Sequence, residues 1–238
     1  MFFPGRSTEI YRSKRFRSIV PASLRLLVTA TILLYKVAIP CALAQEPSER
    51  IQSLTKSLES EPGTALIDSI NNLGYSTFTG NLLASTSALA SAFNAAQTLG
   101  YTEGEARSAE NLGLTFYLSG AYDSSTYYNL HAIALYKKLG NEIQAAKVLC
   151  GQGYQMKRRN LNEAFTYYRS GLSVLRKIAP REELSAVFNN YGVLHEMNND
   201  LDSAIYFYSA SLELSRELTD SLGIPFALNT LAFAHLLK

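Results

Sequence analysis

The sequence predicts an all-α protein, a solenoid of stacked antiparallel helix pairs with a period of about 40 residues. Three observations carry that prediction. Residues 183–220 read as two helical runs around the break Asn198, Asn199 and Asp200; after it Leu201, Ile205, Tyr208 and Leu212 fall on one helical stripe. Small residues recur at a step of thirty-nine or forty: Gly74, Gly113, the Gly151 and Gly153 cluster, Gly192 and Ala232. Ser125, Ala164 and Ala204 keep the same step in the second helices, and Leu99-Gly100 and Leu139-Gly140 close two of them forty residues apart. A fixed period of this size is the signature of a repeat architecture.

The elements follow in order. Residues 45–62 predict a capping helix, with Ile51, Leu54 and Leu58 on one stripe and polar residues opposite. Pro62-Gly63 ends it, and repeats occupy residues 63–238. Their helix pairs fall at about 64–79 and 82–99, 103–118 and 122–138, 142–158 and 161–178, and 182–198 and 201–218. Asp200 is placed to cap the last of these, since its carboxylate can accept a free first-turn N–H. A final helix opens near Pro225, a residue tolerated at a first helical position, and it leaves the last repeat incomplete. Glycine inside a helix costs about 1 kcal/mol against alanine. Close approach of the paired helices is the reason to keep it.

The repeat resembles the tetratricopeptide repeat (TPR). Leu112-Gly113 with Phe116, and Tyr191-Gly192 with His195, match the first-helix pattern; Ala164 with Tyr168, and Ala204 with Tyr208, match the second. The period exceeds the usual ~34 residues and tryptophan is absent. The resemblance implies a right-handed superhelix whose first helices line a groove. It places groove residues three before, two before, one after and four after the small position. Those are Asn71, Asn72, Tyr75 and Phe78, then Glu110, Asn111, Leu114 and Tyr117. The fourth unit gives Asn189, Asn190, Val193 and Glu196, and the fifth Asn229 and Phe233. The third unit is ambiguous by one residue and contributes none. Arg107 is the groove cation the pattern places, so the Lys/Asn/Arg clamp for a C-terminal carboxylate is not reproduced. Side-chain amides can pair with an extended peptide backbone while aromatics fill pockets; the plainer reading is that these asparagines stabilise the groove wall.

The N-terminus is a separate matter. Six basic residues up to Arg25 precede the apolar run 26–35, and Ala42-Leu43-Ala44 follows. This order predicts a secretory signal peptide over residues 1–44, with an uncleaved signal anchor as the alternative. The chain carries 22 basic and 20 acidic residues. Seven of the basic and one of the acidic lie in the leader, which leaves 15 against 19 and a net charge of −4. Nucleic-acid binding is therefore not expected. Lys157, Arg158 and Arg159 form the one later basic run and read as a solvated turn. One cysteine, Cys150, remains, and it reads as a small buried hydrophobe.

No catalytic or metal motif stands out: no P-loop, no G-x-S-x-G, no H-E-x-x-H and no paired CxxC. His195 and His235 share one repeat position without a third ligand. The expected chain needs no cofactor and no metal, is not an enzyme, and binds a protein or peptide. The resemblance extends to the exported TPR regions of bacterial sensor histidine kinases and membrane-tethered regulators, which implies a sensory or scaffold role ahead of a signalling output. A self-contained periplasmic or secreted scaffold is the alternative. The apolar last helix predicts a continuation beyond residue 238, or self-association through that helix. Contact with a membrane is expected only through a signal anchor or a downstream span. The leader predicts a mature N-terminus at Gln45 in an expressing bacterium, and intact-mass measurement checks it; full-length chain in the membrane fraction would show an anchor.

Overall fold

The computed structural model describes residues 47–77 and 81–238; the predicted leader and Phe78 lie outside them, as do the side chains of residues 47, 48 and 74–77. Residues 50–238 form one compact unit, and of the unit before it only the start of the first helix is described. The helices are α1 (Pro47–Ser60), α2 (Thr64–Thr77), α3 (Leu82–Leu99), α4 (Thr102–Leu118) and α5 (Tyr122–Lys138). They continue with α6 (Glu142–Met156), α7 (Leu161–Ile178), α8 (Leu184–Met197), α9 (Leu201–Glu217) and α10 (Gly223–Leu237). The described residues contain no strand, and each predicted helix is present. A short 3-10 turn, Arg181–Glu183, follows Pro180 and delays the start of α8. Pro225 stands at the third position of α10, not the first; its missing N–H is still among the four that a helix start leaves unpaired.

Local chemistry sets the boundaries. Asn81, Asn141, Asn160 and Asp200 each accept a backbone N–H three residues on, at 3.0 to 3.2 Å. Asp200 also pairs its second oxygen with His195 Nδ1 at 3.0 Å, tying the end of α8 to the start of α9. Hydrogen bonding from Ser203, by its side chain first and then its N–H, together with His195 holds its carboxyl below the usual range. Helices end where the chain turns left-handed, at Gly100, Gly120, Gly140, Asn199 and Thr219. Thr219, with φ of 58° at Asn199 falling to 53° here, is the β-branched exception among them.

Packing is closest within the pairs α4/α5, α6/α7 and α8/α9. Each pair meets at its glycine. At Gly113 the space of a Cβ is taken by the Asn129 amide, and at Gly192 by the Tyr208 ring. At Gly153 it is taken by backbone: a Cβ there would stand 2.7 Å from the Ala164 carbonyl oxygen and 2.9 Å from the Tyr168 nitrogen. A Cβ on Gly151 would meet nothing within 4 Å. The one-residue ambiguity of the third unit is thereby resolved in favour of Gly153. The core runs as a cluster from Ile51 and Leu58 through Leu89, Leu112 and Ile133 to Val148. A second cluster holds Ala164, Tyr168, Leu175 and Leu194, and a third joins Ala204 and Tyr208 to Ala234 of α10.

Two glycines two residues apart thus have opposite roles. Gly151→Ala should raise stability by about 1 kcal/mol through helix propensity alone. Gly153→Ala should lower it by about 1–3 kcal/mol, because backbone cannot rotate away from the new methyl. Chemical denaturation of the two variants measures both signs.

Candidate functional site

The first helices bring two cavities to one series of helices. The polar cavity, of about 390 Å³, lies among α2, α4, α5 and α6 and is lined by Asn71, Asn72, Glu103, Arg107, Glu110, Asn111, Tyr136, Asn141 and Gln144. Five residues predicted for the groove meet there. Most of their polar atoms are already engaged. Asn71 is buried; its amide donates to the Gly104 carbonyl at 3.3 Å and accepts from Ser108 Oγ at 3.0 Å, and Asn111 Nδ2 donates to the Asn71 carbonyl at 3.1 Å. Arg107 pairs with Asp68 at 3.3 Å and donates to Asn72 Oδ1 at 2.5 Å. Glu110 accepts from Tyr136 Oη at 2.7 Å and from Gln144 Nε2 at 2.8 Å. Burial, with the Glu110 carboxylate beside it, pushes the Tyr136 phenol far up.

The second cavity is larger and less polar. It holds about 520 Å³ among α4, α6 and α8, between Leu114 and Tyr117 on one side and Ala186, Val187 and Asn190 on the other. Between them α6 presents Lys147, Cys150, Gly151, Tyr154 and Gln155. Gly151 opens this floor because it projects nothing into it. Lys147 pairs with Glu183 at 2.7 Å at the rim, a groove cation that the sequence pattern did not place. Asn190 has no hydrogen-bond partner within the described protein, so its amide is free to take one from outside. Lys157 lies 3.2 Å over the Tyr154 ring, and burial, with Arg158 nearby, lowers its ammonium to about 8. The turn read as solvated is therefore solvated at Arg158 and Arg159 and packed at Lys157.

The remaining predicted residues are dispersed. Asn189 is buried and accepts from Thr230 Oγ1 at 2.9 Å, joining α8 to α10, while its Nδ2 has no partner. Val193 packs on the core around Tyr208, and Glu196 accepts from Tyr208 Oη at 2.8 Å. Asn229 and Phe233 are exposed on α10. The structure does not describe the Tyr75 side chain. Lys147, Gly151, Tyr154 and Ala186 were missed, the first three because the third unit had no fixed register.

Two solved structures share this fold. BtubC (BKLC) from P. vanneervenii superposes with a TM-score of 0.66 at 18% identity, covering 79% of this chain and 80% of that one. A putative kinesin light chain from Podosopora anserina, with nearly identical TPR-like repeats, gives 0.55 at 11% identity, covering 81% and 88%. The fold is TPR-like. No family model matches the chain, and no curated protein matches it in sequence. The TPR-like likeness is one of architecture, so the chemistry of the grooves rests on this chain's own residues.

Among the described residues no three metal-ligating side chains cluster, and no helix is long and apolar enough to cross a membrane. Burial pushes the Cys150 thiol up to about 12, and its Sγ sits against the backbone of α7. Cys150 should therefore resist iodoacetamide at neutral pH while the chain is folded and react once it is unfolded. Peptide mapping after alkylation measures this; rapid native labelling would show that the cavity wall opens.

Proposed function

We propose that the chain is a protein-interaction module that holds an extended segment of a partner in the groove of α4, α6 and α8. A TPR-like fold suits protein interaction in general. The observation that supports this particular groove is the floor at Gly151, where an open helix surface lies between the Tyr117 and Tyr154 rings and the unpartnered Asn190 amide. Apolar walls with a few placed polar groups are the usual makeup of a binding cleft. A partner's apolar side chain enters above Gly151, and Asn190 pairs with its backbone. The side chains present are suited to holding a ligand: the thiol is kept protonated and the lysine is paired. The polar cavity of Arg107 and Glu110 continues the same series of first helices and serves as a recognition wall for polar residues of the partner.

The basic-then-apolar pattern of residues 1–44 supports an exported module, periplasmic or tethered to the membrane, and a sensory or scaffold role in bacterial signalling is the reading we adopt. A self-contained exported scaffold accounts for the same groove.

The groove can be filled without disturbing the fold. Gly151→Leu should keep or raise the melting temperature, since a Cβ there meets nothing within 4 Å and the position opens onto the cavity. Peptides selected from a random library against the full chain should bind this variant at least about tenfold more weakly, a loss near 1.4 kcal/mol. Titration of a fluorescent selected peptide against both proteins is the measurement, and equal affinity would place the site elsewhere.

A further inference from the structure

We infer that the chain has a second docking surface, the groove between α7 and α9, and that its occupant is an acidic peptide segment of a partner protein. It lies on the second-helix side of the repeats and shares no lining residue with the groove proposed above. Two cavities of about 370 and 380 Å³ run along it and share Arg176. The floor is aromatic, made by Tyr191 and His195 of α8 and Phe207 of α9 in the first cavity, and by Phe188 in the second.

The charge at this surface is what selects the occupant. Arg169 and Arg176 stand two turns apart on α7 and both are exposed. The Arg176 guanidinium lies over the Phe188 and Phe207 rings, at 5.3 and 5.5 Å. That contact fixes the group in place without using its five N–H donors. No protein oxygen among the described residues accepts from Arg176, and Arg169 donates only its Nε, to the Phe165 carbonyl at 3.3 Å. Neither has a carboxylate within ion-pair distance, whereas Arg181, at the far end, is paired with Glu217 at 2.6 Å. Glu213 is the one carboxylate lining the groove. Arg169 and Arg176 both line the first cavity together with Tyr191, whose phenol burial pushes up against the opposing pull of the two guanidiniums. Beside them the His195 Nε2 is buried with no partner, while Nδ1 is held by Asp200. A preset guanidinium over an aromatic floor, with a second unpaired one two turns away, matches carboxylates on a chain that also carries an aromatic or apolar residue. Tyr206, 63% exposed at the rim, offers such a residue a wall.

The test uses the full chain and three probes: a short fluorescent Asp/Glu peptide with one Phe, its Asn/Gln counterpart, and phosphatidylglycerol vesicles. The acidic peptide should bind, more weakly as salt rises, and the neutral peptide should not; this comparison requires no variant. The double variant Arg169→Gln, Arg176→Gln should weaken binding by about tenfold or more, with the melting temperature retained. Lys137→Gln with Lys138→Gln removes the same charge outside the groove and should leave binding as it was. Failure of the native chain to bind the acidic peptide, equal binding of the two peptides, equal loss in the two double variants, or uptake by vesicles in place of peptide would each overturn the proposal.

Discussion

The distance at which a first helix can cross its second governs the rest of residues 50–238. The limit is reached in α6/α7. There Gly153 of α6 faces the backbone at Ala164 and Tyr168, and Gly171 of α7 faces the Ala146 carbonyl and the Cys150 sulfur. With glycine at both crossing points, each helix approaches the backbone of the other, and this pair is the most closely packed of the set. The other pairs meet at one glycine and fill it from across the contact, with the Asn129 amide or the Tyr208 ring. A side chain placed there is itself buried and must be satisfied. Tyr208 donates to Glu196, and Asn129 donates to Gln152 and Gln155 at 2.7 and 2.8 Å.

Stacking of one pair on the next uses a different chemistry. The seams between repeats are polar and buried. Asn71, Ser108 and Asn111 form one, and Asn129, Gln152 and Gln155 another, with Asn129 Nδ2 2.7 Å from Gln152 Oε1. Where these groups are buried, each donor needs an acceptor. A slip of one residue would leave these groups unpaired, at a cost of several kcal/mol. Polar seams therefore fix the register between repeats, while the aliphatic clusters supply the burial. They also divide the asparagines of the NNLG-like helices. Those at the first of the two positions, Asn71 and Asn189, are wall; Asn72 and Asn190 turn to the grooves.

This division explains what the sequence disclosed. Period and small residues were enough for the helices, because a crossing glycine and a capping Asn or Asp leave marks in the chain itself. The third unit was unreadable because Gly151 and Gly153 are alike in sequence and differ only in what faces them across the pair. Without that register, Lys147, Gly151 and Tyr154 could not be assigned to a groove. The aromatic residues of the second helices posed the same difficulty. Tyr168 and Tyr208 are fully buried, while Tyr127 and Tyr206 are exposed by more than half, though all four sit in similar tyrosine-rich runs. Which tyrosine of such a run turns inward depends on a rotation of about 100° per residue, and on where the neighbouring pair stands.

Helix α8 connects the two candidate surfaces. It gives Ala186, Val187 and Asn190 to the groove of the first helices, and Phe188, Tyr191 and His195 to the groove between α7 and α9. The two sets sit on different sides of one cylinder, so rotation of α8 would advance one set and withdraw the other. Three contacts prevent that rotation. The Tyr168 hydroxyl donates to the Val187 carbonyl at 2.7 Å, its ring stacks on Tyr191 at 5.1 Å, and Gly192 is covered by the Tyr208 ring. Tyr168 comes from α7 and Tyr208 from α9, so α8 is held from both neighbours at once. A helix held that way presents each groove in a formed state, which lowers the ordering cost that a binding partner would otherwise meet.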